Sequence, residues 1–373
     1  MHDTIPPRRR RRSIGALSAI AIVLVVVVGL RAWTVPYYAL TPGQATRVSS
    51  LVTIRGLRTN PHHDPIMLTD VYLQSLSAWQ WLIMHFESHV QFVSASELVE
   101  PGVPSSELIN QGYLEMSDSK TAAQVAALRA LGWTIPSESV GATVTGVVDP
   151  SPAYQAGLGV ADRVVGVGGT PVRSACGLIG AVHLLAPGSR VRLDVRRARV
   201  SASGVITYAP ARVLSVRTAT PPSAITPSGC PGVRGRDHSW LGISLENAVH
   251  YRLPGSIAIN TANIGGPSAG LAMTLTLINE LSAGSLTGHQ VVAATGTIDP
   301  QGQVGDVGGV AEKTVAVQRA GATLFIVPSV EVATARAAAT PGLRVVGVTT
   351  LGQALAALRR VGGQRPVSLT PPR

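Results

Sequence analysis

The first long pattern in the chain is an uncharged apolar run from Ile14 to Leu30, IGALSAIAIVLVVVVGL, preceded by Arg8 to Arg12 and followed by Arg31 and Trp33. At about 1.5 Å rise per residue this run reaches the lower limit for crossing a bilayer, and Ala32 to Val35 extend it toward the interface. It predicts an uncleaved anchor over residues 14–34, behind a basic segment at residues 1–13. A cleavable leader shares the basic-then-apolar order, but Leu30-Arg31-Ala32-Trp33 lacks the small residues that a cleavage site needs. Five arginines before the run against one after it put the amino terminus in the cytoplasm and the remainder outside.

Beyond the anchor the apolar runs shorten. LVTIRG at 51–56 and IMLTDVYL at 66–73 predict strands, and SAWQWLIMHF a helix, within an amino-terminal extracytoplasmic region at residues 35–123. A helix over 120–131 leads into short strands punctuated by glycine: WTI from 133, ATVTGVV from 142, DRVVGVGGTPV from 162 and VRLDVRR from 191. Residues 216–239 are dense in Pro, Ser and Gly, lack apolar periodicity and read as a linker. From Trp240 the pattern alternates. IAIN at 257–260 precedes a helix from about Pro267, VVAATG from 291 precedes a helix over 309–320, and LFIVP precedes an Ala-rich helix. VVGV and TLGQALAALRRV complete an α/β pattern over 240–362, with a frayed tail at 363–373.

Composition narrows the function classes. An apolar content of 45% with 14% charged residues excludes a disordered chain. The net charge of +11 includes the five clustered arginines; the other basic residues are scattered and aromatics are 4%, which excludes a nucleic-acid surface. His62-His63-Asp64 are adjacent in a Pro-flanked loop, so their side chains do not converge and no metal site is expected. Cys176 and Cys230 fit either a disulfide or two free thiols. The basic residues are biased: all but two of the 31 are arginine, the exceptions being Lys120 and Lys313. A guanidinium stays protonated and cannot serve as a base, whereas a desolvated amine can.

The segment Asn263-Ile264-Gly265-Gly266-Pro267-Ser268-Ala269-Gly270 opens the apolar helix LAMTLTLINEL. Pro267 suits a first-turn position, and Ser268 then sits where backbone amides and the helix dipole stabilise an oxyanion. Small neighbours leave room for a substrate carbonyl. Alone, the segment describes a serine cap after a glycine loop equally well. A second segment, Gly302-Gln303-Val304-Gly305-Asp306-Val307-Gly308-Gly309-Val310-Ala311-Glu312-Lys313, ends in one of the two lysines and makes Ser268 and Lys313 a nucleophile and general-base pair. A Ser-His-Asp triad built from His250 or His289 with Asp299 has no surrounding motif, and His289 beside Gly288 reads as a solvated turn.

The GPSAG and Gly-Gly-x-x-x-Lys segments resemble those of the proteolytic domain of Lon proteases, and Leu286-Thr287-Gly288 and Thr295-Gly296-Thr297-Ile298-Asp299 between them follow the same family's run. The resemblance implies that Thr295 hydrogen-bonds near the lysine, with Gly266 and Ala269 supporting the nucleophile or its oxyanion. Thr297 stands where many ATP-dependent Lons carry an acidic residue, which leaves no carboxylate assigned beside the dyad. Upstream, SPA at 151, AGL at 156, Asp162 with its apolar followers and the Gly168-Gly169 turn resemble a bacterial PDZ domain over 124–215. That likeness implies capture of an extended peptide or a protein carboxy terminus at a sheet edge.

The whole chain resembles the PDZ-containing Lon-like proteases of bacterial membranes. This implies an α/β (α+β) Lon-type proteolytic domain, a preceding mainly-β PDZ domain and an amino-terminal transmembrane helix. The implied activity is a serine endopeptidase in the bacterial plasma membrane, single-pass and facing outward, acting on extracytoplasmic proteins without a cofactor. Rings of identical subunits are a further implication. Neither lysine sits in a nucleotide-binding loop, because Lys120-Thr121 follows MSDS rather than a glycine cradle, so hydrolysis is expected to need no ATP. The rival readings are a non-catalytic PDZ scaffold and a protease acting mainly on itself.

Overall fold

The computed structural model describes residues 8–60, 64–98, 107–201, 205–222, 230 and 239–370. His62 and His63 of the expected solvated turn, and most of the linker, lie outside the described residues. The chain begins with helix α1 (Arg8–Ala32, 25 residues). Leu17, Ile20, Ile22, Val25 and Val28 on it are more than half exposed. Among the described residues no helix is long and apolar enough to cross a membrane.

A six-stranded mixed sheet forms the centre of the molecule. Its strands are β1 (Thr34–Arg47), β3 (Ile66–Ser77) and β4 (Gln91–Ser94) from the first hundred residues, with β14 (Val292–Ala294), β17 (Leu324–Pro328) and β18 (Arg344–Val348) from the last hundred. The order is β18-β17-β14-β3-β1-β4, and the neighbours from β18 to β3 run parallel. The segment at 35–123 therefore supplies half of the sheet on which the carboxy-terminal motifs stand. A short ribbon of β2 (Val52–Arg55) and β13 (Ser256–Ile259) joins the same two parts of the sequence again. Helices α2 (Ala78–Met84) and α3 (Ala95–Leu98) follow β3 and β4; α2 starts from a capping box formed by Ser77 and Gln80.

Alternation along the central strands sorts the core into two layers. Ile66, Leu68, Val292, Ala294, Leu324 and Ile326 face one cluster with α7 (Gly270–Leu281), all twelve residues of which are buried. Met67, Ala293, Phe325, Val327 and Val345 face the opposite cluster with α8 (Val310–Arg319) and α9 (Val332–Ala338). Because neighbouring strand residues point to opposite faces, α7 and α8 pack on opposite sides of one sheet. Strands buried on both faces read as continuous apolar runs, as VVAATG and LFIVP do.

The second unit is a five-strand path, β11-β8-β6-β5-β12, made of β5 (Ser137–Val147), β6 (Arg163–Val167), β8 (Arg190–Arg196), β11 (Arg212–Arg217) and β12 (Ile243–Tyr251), with β7 (Thr170–Pro171) paired to β6. Helices α5 (Pro152–Gln155) and α6 (Ala175–His183) cover it, and β9 (Ala198–Val200) pairs with β10 (Ile206–Tyr208) beside it. Asp162 is buried yet fully engaged, accepting from Gly159 N, Ala198 N and Arg197. Ala161 before it holds φ +70°, the left-handed region where glycine is usual.

Helix α4 (Leu108–Ala130) joins the two units and starts twelve residues, about three turns, before the expected 120–131. Met116 and the Ala122–Leu128 face pack in the core with α7, while Leu114 packs with Val160 and Ala161 of the second unit. The predicted WTI strand is unpaired: Trp133 and Ile135 turn into that core instead. The hairpin β15 (Thr297–Ile298) with β16 (Val304–Gly305) precedes α8, and α10 (Leu351–Arg359) closes the chain. The expected frayed tail is docked, since Gln364 N donates to Ser285 O and Leu369 N to Leu281 O. Cys176 and Cys230 form a disulfide, which settles the alternative left open by their number.

Candidate active site

The nucleophile loop descends from β13 and enters α7 at Ser268. The regular helix begins at Gly270, with Ala269 as its cap, rather than near Pro267. The reason is that the two carbonyls which would start it are taken by tertiary partners. Pro267 O accepts from Ser119 Oγ of α4 at 3.0 Å and from Gly270 N at 3.2 Å. Ser268 O accepts from Gly296 N at 2.9 Å and from Thr295 Oγ1 at 3.2 Å. Ser268 is thus held by its main chain from three sides, and its side chain is half-buried at the mouth of a buried helix.

The glycines around it have distinct reasons. A Cβ on Gly265 would meet Gly112 of α4 at 3.3 Å, and one on Gly270 would meet Ser119 Oγ at 2.9 Å and Ile298 at 3.0 Å. These positions are small because α4 and β15 press on the loop, not because substrate must enter there. Gly266 differs: its φ is +83° and nothing lies within 4 Å of where a Cβ would stand. Its amide is occupied by Gly112 O at 2.8 Å, so the expected oxyanion support from Gly266 is corrected to shaping the loop. Ala269, the other expected support, is buried at the helix cap beside Ser268.

Lys313 lies in the first turns of α8, whose cap Gly309 has φ +67°. A Cβ on Gly309 would meet Val71 at 3.0 Å, so glycine lets the helix start against β3. Lys313 is 2% exposed. Burial lowers its amine to about 8, and the nearby charges of Asp70, Glu331 and Glu312 oppose part of that fall. The amine therefore has a substantial neutral population near neutral pH, as a base requires.

Strand β14 is where these parts meet. It pairs with β3 in parallel, Val292 opposite Ile66 and Ala293 opposite Met67, and past its end Thr295 N donates to Ile326 O and Gly296 N to Ser268 O. Thr295 is fully buried and ties the end of the strand to Ser268. Gly309 meets Val71 of β3, so α7 and α8 begin at the same edge of the sheet from opposite faces. In parallel sheets this edge, outside the carboxyl ends of the strands, is where ligands bind. Sequence reasoning missed Asp70, Thr69, Gly112 and Ser119, all contributed from segments far from both motifs.

The rival triad does not assemble. His289 Nδ1 pairs with Asp64 at 3.0 Å, and Ser285 Oγ donates to the same carboxylate, so Asp64 bridges the two and the serine does not meet the ring. His250 lies on β12 opposite Glu138. Asp299 Oδ1 accepts from Gln301 N and Gln303 N and is a turn former. Among the described residues there is no group of three or more His, Cys, Asp or Glu suited to a metal ion.

Residues 244–357 match the family model of the Lon protease (S16) C-terminal proteolytic domain, and residues 117–203 match that of the PDZ domain. The chain is 36% identical over 132 residues to Lon protease 1 of Herpetosiphon aurantiacus, covering 34% of this chain and 16% of that protein. It is 39% identical over 83 residues to the Lon protease of Clostridioides difficile, covering 22% and 10%. The chain thus spans less than a fifth of the length of these relatives. Among solved structures, the PDZ domain of an SdrC-like protein from Listeria monocytogenes is similar at 16% identity, covering 28% of this chain and 87% of that domain, with a TM-score of 0.21.

Proposed function

We propose that this chain, which carries a Lon-type proteolytic domain and a PDZ domain, is an ATP-independent serine endopeptidase tethered to a membrane and working on proteins outside the cytoplasm. The observation that carries the reading is a lysine 2% exposed, opening a helix at the same sheet edge as Ser268. Ser268 Oγ attacks the peptide carbonyl carbon while its proton passes to the neutral Lys313 Nζ. Collapse of the tetrahedral oxyanion breaks the C–N bond, and the ammonium returns the proton to the leaving amine. Water then attacks the acyl-enzyme ester, giving a proton to Lys313, and as the second tetrahedral intermediate collapses Lys313 passes that proton to the departing Ser268 oxygen, releasing the new carboxylic acid and restoring the neutral amine.

Recruitment belongs to the second unit. Its edge strands are β11 and β12, and α6 lies beside β12, tied by Ala175 N donating to Asn247 Oδ1 at 2.9 Å. An extended peptide adding to that edge satisfies backbone groups that the sheet leaves unpaired. The tether rests on the apolar run from Ile14 to Leu30 behind five arginines, and the Cys176–Cys230 disulfide suits an oxidising compartment outside the cytoplasm.

The test uses the full chain in detergent with a loosely folded protein substrate and no nucleotide, beside Ser268→Ala and Lys313→Ala. Cleavage by the wild type alone supports the dyad. Equal cleavage by all three, or none by any, overturns it and leaves the non-catalytic scaffold. Alkaline carbonate washing of membranes tests the tether: release of the intact chain into the soluble fraction refutes it.

A further inference from the structure

We infer that Thr69 is a positioning residue for Lys313, its hydroxyl holding the side-chain amine in line with Ser268; the inference rests on the Ser268–Lys313 reading. Thr69 is 2% exposed, and its Oγ1 is buried without a hydrogen-bond partner. A buried hydroxyl without a partner destabilises a fold, and valine has almost the same shape at no such cost. The position therefore retains a polar group that the resting fold does not use.

The direction of that group follows from the strand. Met67 lies in the cluster with Val310 and Val317 of α8, and Thr69, two residues on, points to the same face. On α8, Lys313 lies between Val310 and Val317 on the helix surface, so it faces the same side of the sheet. Gly309, at the start of α8, packs against Val71, two residues after Thr69 on β3, and Asp70 between them is one of the charges that act on Lys313. A second buried hydroxyl, Thr295, follows the end of β14, the strand paired with β3. Thr295 donates to Ser268 O. Thr69 Oγ1, which makes no hydrogen bond in the resting fold, has both lone pairs open to accept an N–H from the amine, which leaves the nitrogen lone pair for the Ser268 proton. When the amine becomes ammonium, the same hydroxyl stabilises the new charge.

This assignment brings a residue from the first hundred positions into the chemistry of a motif that starts at residue 263, and it lies outside residues 244–357 that match the proteolytic-domain model. The other charged groups acting on Lys313 are Asp70 on β3, Glu331 before α9 and Glu312 on α8, none of which is altered by changing Thr69.

The experiment compares the full chain with Thr69→Val and Thr69→Ser in steady-state peptide hydrolysis across pH, with thermal unfolding measured in parallel. Thr69→Val is expected to lower kcat about tenfold to a hundredfold with KM nearly unchanged, the scale of losing one hydrogen bond to a developing charge. Its rising pH limb moves to lower pH, because an amine without its acceptor is harder to protonate. Thr69→Ser, which keeps the hydroxyl, restores both kcat and the profile. Wild-type kcat and pH profile in Thr69→Val overturn the inference, as does equal impairment of the two variants. If Ser268→Ala and Lys313→Ala are inactive while Thr69→Val is normal, only this inference fails; if those two are active, the dyad itself fails.

Discussion

At the scale of single residues, the site depends on making a lysine behave unlike a lysine. Burial lowers Lys313 to about 8 against the opposing charges of Asp70, Glu331 and Glu312. A general base works only when neutral, so kcat/KM should climb as pH rises through about 8 and level off above it, which a pH–rate profile on a neutral peptide measures. Asp70→Asn removes a charge that favours the ammonium while keeping the oxygen that accepts from Gln44 N. Its profile should rise at lower pH than that of the wild type. Lys313→Arg keeps the charge but supplies no base, and kcat should fall at least about a thousandfold in the same assay.

At the scale of elements, Ser268, the proposed nucleophile, is positioned by helices and strands that contact the main chain around it. Ser119 of α4 holds Pro267 O, and Gly270 of α7 sits against Ser119 and Ile298 with no room for a methyl group. Gly270→Ala should therefore destabilise the protein by about 1–3 kcal/mol through overpacking and should lower kcat in proportion to the displaced Ser268. Chemical denaturation and single-turnover kinetics on the same variant separate the two effects. Helix α4 also carries Leu114, packed on Val160 and Ala161 of the PDZ unit, two residues from Gly112, whose carbonyl holds Gly266. One helix thus touches both the PDZ unit and the loop that carries Ser268.

At the scale of the whole molecule, the central sheet is assembled from the two ends of the sequence with the PDZ unit between them. Strands β1, β3 and β4 precede that unit and β14, β17 and β18 follow it, so cutting the chain within it separates halves of one core. The disulfide closes a loop of 54 residues from α6 to Cys230. Its reduction should cost about 2–4 kcal/mol, seen as a lower denaturation midpoint in reductant than in its absence.

The amino-acid sequence by itself singled out the residues of the proposed chemistry: a serine after Gly265-Gly266-Pro267 and a lysine kept among arginines are legible because a reactive group needs particular atoms in a short local frame, and Thr295 beside Gly296 through the family resemblance. It also determined most elements after Trp240, where buried strands and amphipathic helices impose their periods on neighbouring residues. Only the tertiary structure decided what surrounds that chemistry. Strand β3, which carries Thr69 and Asp70, reaches the site through its pairing with β14, a contact between residues over two hundred positions apart that leaves no local mark. The start of α7 at Gly270, the unpaired Trp133 and the docked tail have the same origin: tertiary hydrogen bonds and core burial outweighed local preference.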